Sequence, residues 1–332
     1  MKRKLDHIQL AEQSQFKIFE QNKDFYYEPL FSADTSSMDL SLTFLGKRMM
    51  NPIWISSMTG GLGEALIINK NLARLTNEFK LGMGLGSCRS FFFKGERKED
   101  FALRELVGEQ PFYANLGIAQ IEEIIINKNI NKLKNHILEL QCDGLIIHIN
   151  PIQEFLQPEG DRIKLSPLET LKIFLENTDI PVIIKEVGQG FGPKSLEELM
   201  SLPIAAIELA GLGGTNFASV ELARQSLSEA SKRENLQSLA GVGHTPMEMI
   251  QWINDLTAKK PYSCQSFIIS GGVDGFLTGY KYLSSLQVKD KVYGQGYQLL
   301  KRANGDYAIL RDYFMSEIEG LKFAHGYLKR RN

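Results

Sequence analysis

Within one short stretch, His148-Ile-Asn-Pro-Ile-Gln-Glu-Phe-Leu-Gln-Pro-Glu-Gly-Asp161, an imidazole, three primary amides and three carboxylates stand almost side by side. His148 and Asn150 are two apart, so on an extended segment they share a face. Polar groups that point into a packed interior need partners. Glu154 has the chemistry of a hard-cation ligand, since Mg²⁺ is usually held by one or two carboxylates, substrate phosphate oxygens and water. Gln153 is neutral, so it can orient a reacting group but cannot act as a general base. The plainer alternative for the stretch is a hydrogen-bonded polar loop.

Lys185 interrupts the apolar run Pro181-Val-Ile-Ile-Lys-Glu-Val187. A lysine there is costly unless it faces an anion or an acidic partner. It suits a Schiff base, a phosphate, or negative charge on a flavin ring; a structural pair with a glutamate is the plainer reading. Arg89, in Ser87-Cys88-Arg89, can meet a phosphate bidentately or form a surface ion pair. Cys88 has no activating base near it in sequence, which argues against a nucleophile. Asn115 offers a donor and an acceptor to a heterocycle edge. Ser57-Met58-Thr59-Gly60-Gly61 lets backbone approach a flat ligand. Two glycine-rich turns, Ala210-Gly-Leu-Gly-Gly-Thr-Asn216 and Ser270-Gly-Gly-Val-Asp-Gly275, are of the kind that receive phosphate. HExxH, GxSxG, Walker A and a GxGxxG behind a first strand are all missing.

Eight apolar runs carry these residues: 52–58, 81–85, 112–116, 144–150, 181–187, 204–209, 267–270 and 291–294. Short continuous runs rich in Ile and Val read as strands buried on both faces. The stretch Ile121–Leu140 has helical spacing, and Ser195–Leu202 reads as a helix opened by a serine cap. The interval between Ile207 and Ile268 leaves room for an extra helix. Eight strand–helix units predict an α/β fold, a single (β/α)₈ TIM barrel over residues 1–332, with residues 1–50 as an extension on the barrel mouth. Active sites of such barrels gather at the C-terminal ends of the strands, where the singled-out residues fall.

The chain has 332 residues, and 38 Lys and Arg against 39 Asp and Glu leave a net charge of −1. That balance gives no general attraction for nucleic acid or a membrane surface, so an anionic ligand must be held by local cations. Three scattered cysteines make neither a disulfide framework nor a CxxC metal site. No apolar run reaches membrane-spanning length and the basic start lacks an apolar core, so a cytoplasmic protein is expected.

Taken together, these residues resemble the type 2, flavin-dependent isopentenyl-diphosphate isomerases. The matching motifs are Arg3-Lys-Leu-Asp-His7, Ser57-Met-Thr-Gly-Gly61, Ala114-Asn-Leu-Gly117, the string His148–Asp161, Lys185-Glu-Val-Gly188, Gly213-Gly-Thr215 and Ser270-Gly-Gly272. They span most of the chain, and the His148–Asp161 string is the most specific. The resemblance implies an FMN-binding barrel that needs Mg²⁺ and reduced FMN, with NADPH as reductant, and interconverts isopentenyl and dimethylallyl diphosphate. It implies cofactor contacts from Ser57, Met58, Thr59, Ser87, Asn115, Lys185 and Thr215, with the phosphate near Gly271 and Gly272. Diphosphate contacts are implied for Arg3, Lys4, His7, Arg89, His148 and Asn150, a place beside the reacting carbons for Gln153, and Mg²⁺ ligation for Glu154. Gln153, Lys185 and His148 are the expected catalytic set. A homotetramer or octamer is also implied.

Some positions depart from the family pattern. Cys88 stands where glutamine is commoner, Ala210 where serine is usual, and Asn216-Phe217 where Ser-Trp is commoner. Asp274 occupies a place often basic, and the eighth-strand end is poorly matched. The alternative on the same barrel is an FMN-dependent 2-hydroxy acid oxidase or dehydrogenase. Such an enzyme needs a base and an arginine at the turn after the sixth strand, which here reads Leu212-Gly-Gly-Thr215.

Overall fold

Each of the eight apolar runs forms a strand of one closed parallel barrel. The computed structural model describes residues 2–58, 60–61, 63, 65–224 and 234–331. Three short strands come first: β1 (Phe25–Tyr27), β2 (Leu42–Phe44) and β3 (Lys47–Met49). The barrel follows as β4 (Ile53–Ile55), β5 (Gly82–Gly84), β6 (Phe112–Gly117), β7 (Gly144–Ile149), β8 (Val182–Glu186), β9 (Ala206–Glu208), β10 (Ser266–Ile269) and β11 (Asp290–Gln295). The strands neighbour one another in chain order, and β11 closes on β4 with Gly294 opposite Trp54. A last strand, β12 (Leu328–Arg330), pairs antiparallel with β1.

Strand alternation sorts the side chains into two layers of packing. Trp54, Tyr113, Ile146, Ile183, Ala206, Ile268 and Val292 point inward and form the core of the barrel. Their strand neighbours, including Ile53, Ile55, Leu145, Ile147, Ile184 and Ile269, point outward and pack beneath the helices in a second, larger core. Burial on both sides explains why these segments read as continuous apolar runs.

The first fifty residues do not simply lie on the mouth. The hairpin β2–β3 closes the opposite end, where Phe44 and Met49 join the inner core. Phe44 meets Trp54 edge-on at 6.3 Å between ring centroids, and Trp54 meets Tyr113 likewise at 6.0 Å. Lys47 pins the hairpin through Asp143, just before β7, at 2.6 Å. Aromatic side chains thus fill the N-terminal end of the barrel and leave the C-terminal end open.

Two local expectations are corrected. Ile121–Leu140 is not one helix but two, Ile118–Ile126 and Ile130–Glu139, because Lys128 turns the chain at φ +56°. Ser195 is not a helix cap: the helix Pro193–Ser201 starts behind Gly192, and Pro193 occupies the first turn, where its missing N–H costs nothing. The long interval after β9 does hold an extra helix, Phe217–Arg224, before Pro246–Thr257. No helix among the described residues is long and apolar enough to cross a membrane.

Candidate active site

Two residues beyond six of the inward apolar positions, towards the C-terminal end, the barrel interior turns polar. Ser56 follows Trp54, Asn115 follows Tyr113, His148 follows Ile146, Lys185 follows Ile183, Glu208 follows Ala206 and Ser270 follows Ile268. The alternation that builds the core therefore also aims these side chains at one another across the mouth.

On one side of this layer, Asn115 donates through Nδ2 to the Leu85 carbonyl at 3.0 Å, so its Oδ1 is left as an acceptor. His148 Nδ1 lies 2.8 Å from that oxygen and donates to it, which turns the Nε2 lone pair away from Asn115. Burial, reinforced by the positive charge of Lys185, pushes the His148 imidazolium down to about 3. Lys185 is opposite His148 on the adjacent strand.

The residues after β7 form a connected polar network. Pro151 starts the short helix Pro151–Leu156, and Asn150 just before it donates through Nδ2 to Gln153 Oε1 at 3.2 Å and Glu154 Oε1 at 2.8 Å. The other Glu154 oxygen accepts the Asp161 N–H at 2.6 Å. The Asp161 carboxylate takes Arg89 Nη1 at 2.8 Å and Gln120 Nε2 at 2.7 Å. Arg89, Asn150, Gln153 and Glu154 are thereby brought into one chain of contacts. Asn150 Oδ1 is buried without a partner.

Gln153 also donates through Nε2 to Glu221 Oε1 at 3.1 Å, and Glu221 is paired with Arg224 at 2.5 Å. Both residues belong to the helix Phe217–Arg224, whose Ala218 and Leu222 pack with Leu156 of the preceding β7 helix. Glu221 was not singled out from sequence; it lies far from Gln153 along the chain, and no local pattern marks it.

Lys185 is 7% exposed and donates to the Glu186 carbonyl at 2.8 Å. The Glu186 side chain instead accepts the N–H groups of Gly188, Gln189 and Gly190 at 2.6 to 2.9 Å, so it serves as a loop anchor. Burial raises its carboxyl above the ordinary range, and the three N–H groups oppose that rise.

Beside Lys185 opens a cleft of about 230 Å³. Ser57, Met58, Lys185, Thr215, Gly271 and Gly272 line it, as do Ser56, Glu208, Ser270 and Gly294. Glu208 was likewise missed, although an acid inside the apolar run 204–209 is the same signal as Lys185 in its run. Ser270 Oγ donates to Glu208 Oε1 at 3.1 Å and accepts the Ala210 N–H at 3.0 Å. The oxygens Ser56 Oγ, Ser57 Oγ and Glu208 Oε2 are buried with no partner. Such atoms call for a polar ligand. At the glycine-rich end, Gly271 adopts φ +112°, and a Cβ there would run into the Gly211 backbone. The two turns stack main chain on main chain, an approach that leaves no room for a Cβ. A flat polar heterocycle carrying a phosphate fits this donor set.

Other expected residues fall elsewhere. Thr59 lies outside the described residues, as does the side chain of Lys4. Arg3 and His7 are exposed on the helix Lys2–Leu10, and no hydrogen bond or ion pair ties them to the barrel among the described residues. Ser87 and Asn115 are not among the residues that line the cleft, and Asn115 is bonded to His148. Cys88 is fully buried, and burial pushes its thiol up to about 12, so it stays protonated. No group of three or more His, Cys, Asp or Glu that could hold a metal occurs among the described residues. A cation at Glu154 would depend on ligand oxygens and water, as Mg²⁺ commonly does. The Glu154 oxygens each keep a lone pair beyond their one protein hydrogen bond.

The chain is similar to curated isopentenyl-diphosphate delta-isomerases. A relative from Rickettsia felis is 31% identical over 327 residues, covering 97% of this chain and 91% of its own. One from Nostoc sp. is 36% identical over 276 residues, covering 82% and 76%. No family model matches the chain. Among solved structures, a mandelate oxidase with an FMN adduct is similar at TM-score 0.58 and 12% identity, over 93% of this chain and 87% of that one. A flavocytochrome b2 with pyruvate bound is similar at TM-score 0.60 and 15% identity, over 90% and 70%. At such identities the likeness carries the barrel and says nothing of the reaction.

Proposed function

The chain belongs to the type 2 isopentenyl-diphosphate delta-isomerase family, and from that membership we propose that its barrel mouth interconverts isopentenyl and dimethylallyl diphosphate with FMN and Mg²⁺. The observation that carries this reading is the linked set Arg89, Asn150, Gln153 and Glu154, standing next to the Lys185-lined cleft. An oxidase reading gains nothing from the site, because the turn Leu212-Gly-Gly-Thr215 has neither the base nor the arginine that a hydroxy acid requires.

Arg89 and the Glu154 carboxylate belong to one linked set at the mouth, and the polar atoms suited to a flat cofactor line the cleft beside Lys185. The diphosphate belongs with Arg89, whose guanidinium Asp161 already orients, and with the Asn150 amide. Glu154 is the Mg²⁺ ligand in this reading, neutralising the diphosphate without a dedicated cage. Burial keeps His148 neutral, so an arriving anion favours its protonation and gains a charge-assisted donor. Arg3, Lys4 and His7 complete the anion site when the N-terminal segment closes over the mouth. Gln153, held by Asn150 and Glu221, positions the alkene.

Moving the double bond requires a proton delivered to the terminal carbon and another removed from the neighbouring methylene. No titratable side chain of the network stands free to do both, and Gln153 cannot. Bound FMN in its reduced form supplies that proton transfer and an electron-rich face for the cationic transition state. Lys185 stabilises negative charge on the reduced ring, and its remaining N–H groups are free for that after the Glu186 carbonyl is satisfied. NADPH serves as the reductant, without net consumption per turnover. A homo-oligomer in the cytoplasm completes the reading.

The test is anaerobic incubation of the protein with FMN, Mg²⁺ and isopentenyl diphosphate, with and without NADPH or dithionite. Dimethylallyl diphosphate formed only with reduced flavin, with no stoichiometric loss of NADPH, is the expected result. No product with flavin demonstrably bound and reduced would overturn it.

A further inference from the structure

The charged side chains on the cleft wall are unevenly matched to an anionic cofactor. Among the described residues they are Lys185, Glu208 and Asp274, one cation against two carboxylates. Lys185 and Glu208 are opposite each other on adjacent strands within the barrel. Asp274 stands alone at the glycine-rich end, two residues after Gly272. Asp274 lines the same cleft as Gly271 and Gly272, and a two-residue step of at most about 7 Å keeps its backbone close to theirs.

The local structure favours a carboxylate at this point without any ligand. Asp274 and Gly275 immediately precede the helix Phe276–Ser285, and Asp274 Oδ1 accepts the Thr278 hydroxyl at 2.5 Å. An acid before the first turn complements the helix dipole. The side chain is exposed, and no ion pair neutralises it among the described residues. It therefore occupies, as a resident anion, the positive end that a phosphate would otherwise have to itself.

We propose that Asp274 sets the cofactor's phosphate affinity in this chain: it weakens retention of the phosphorylated flavin and narrows the preference for FMN over riboflavin. The proposal rests on the flavin reading given above. A phosphate monoester carries nearly two negative charges at neutral pH. Repulsion by one carboxylate at this range, largely through water, corresponds to about a threefold to tenfold loss of affinity, and salt shrinks it. Backbone amides of the two glycine turns are left to hold the phosphate, since among the described residues the one side-chain cation on the cleft wall is Lys185.

The experiment is titration of the full-length chain with FMN and with riboflavin, followed by flavin fluorescence, at low and high salt. Asp274→Asn keeps an acceptor for Thr278 and removes the charge; Asp274→Ser, with a hydroxyl suited to a helix start, is the second variant, and thermal unfolding checks both. The expected result is FMN binding tightened about threefold to tenfold, riboflavin binding moved by less than about twofold, and a difference that fades with salt. Equal shifts for both flavins, or an unchanged FMN-to-riboflavin ratio, would overturn the proposal while leaving the flavin reading intact. Binding of neither flavin by the wild-type chain would remove both.

Discussion

His148 Nδ1 sits 2.8 Å from Asn115 Oδ1, so the end of β7 is tied to the end of β6 by one side-chain hydrogen bond. Because Asn115 spends its own N–H on Leu85, the direction of that bond is fixed, and with it the tautomer of the imidazole. The barrel thus presents a neutral histidine with its Nε2 lone pair free of Asn115, next to Lys185.

That arrangement makes stability depend on acid. His148 in the folded chain titrates at about 3, below the ordinary 6.5, so the unfolded chain binds a proton that the native one refuses. The contribution is constant above about pH 6.5 and is lost as pH falls from there towards 3. Denaturant unfolding of wild type and His148→Gln at neutral and mildly acidic pH should differ in slope, with wild type losing on the order of 2 kcal/mol more. Parallel slopes would show that the imidazole is already charged in the native state.

Gln153 spans two partners, Asn150 on its own loop and Glu221 on the neighbouring helix. Gln153→Asn, one methylene shorter, cannot keep both. Turnover should fall about a hundredfold through misplacement of the alkene, while the flavin spectrum and the melting temperature stay close to wild type. Steady-state kinetics beside a flavin titration would check this; an unchanged kcat removes Gln153 from the reacting centre.

Glu154→Gln places an amide N–H against the Asp161 N–H or the Asn150 donor, depending on its flip, where a carboxylate accepted both. We expect a loss of about 1–3 kcal/mol in stability and a Mg²⁺ requirement raised roughly tenfold or more. A Mg²⁺ titration of activity with unchanged half-saturation would exclude Glu154 as the ligand.

Removing residues 2–7 deletes Arg3, Lys4 and His7 without touching a barrel strand. The expected outcome is a KM for the diphosphate raised roughly tenfold, with FMN affinity unaltered. A KM equal to wild type would restrict the anion site to the barrel itself.

Ala210 holds φ +44° while its N–H donates to Ser270 Oγ. A non-glycine residue is strained there. Ala210→Gly should therefore raise stability by about 0.5 kcal/mol after its entropic cost, and Ala210→Val should lower it by more than about 1 kcal/mol. Chemical denaturation of the pair decides it; a destabilising glycine would show that the backbone there is relaxed.

The sequence by itself determined the strands and the polar residues they carry. Segments buried on both faces must be apolar throughout, so β4 to β11 stood out, and Lys185 stood out against its own run. The His148–Asp161 string was legible because its polar residues are contiguous. What only the tertiary structure decided are relations between distant segments. Glu221 reaches Gln153 because two short helices pack through Leu156, Ala218 and Leu222, and no spacing along the chain encodes that contact. Glu186 turned out to anchor a loop, since three backbone N–H groups after β8 converge on it. The hairpin β2–β3 seals the end of the barrel opposite the site, a placement fixed by the fit of Phe44 and Met49 against Trp54. Alternation along a strand is local and survives in the sequence; which side chains meet across the barrel depends on closure and stagger, which exist only once all eight strands are in place.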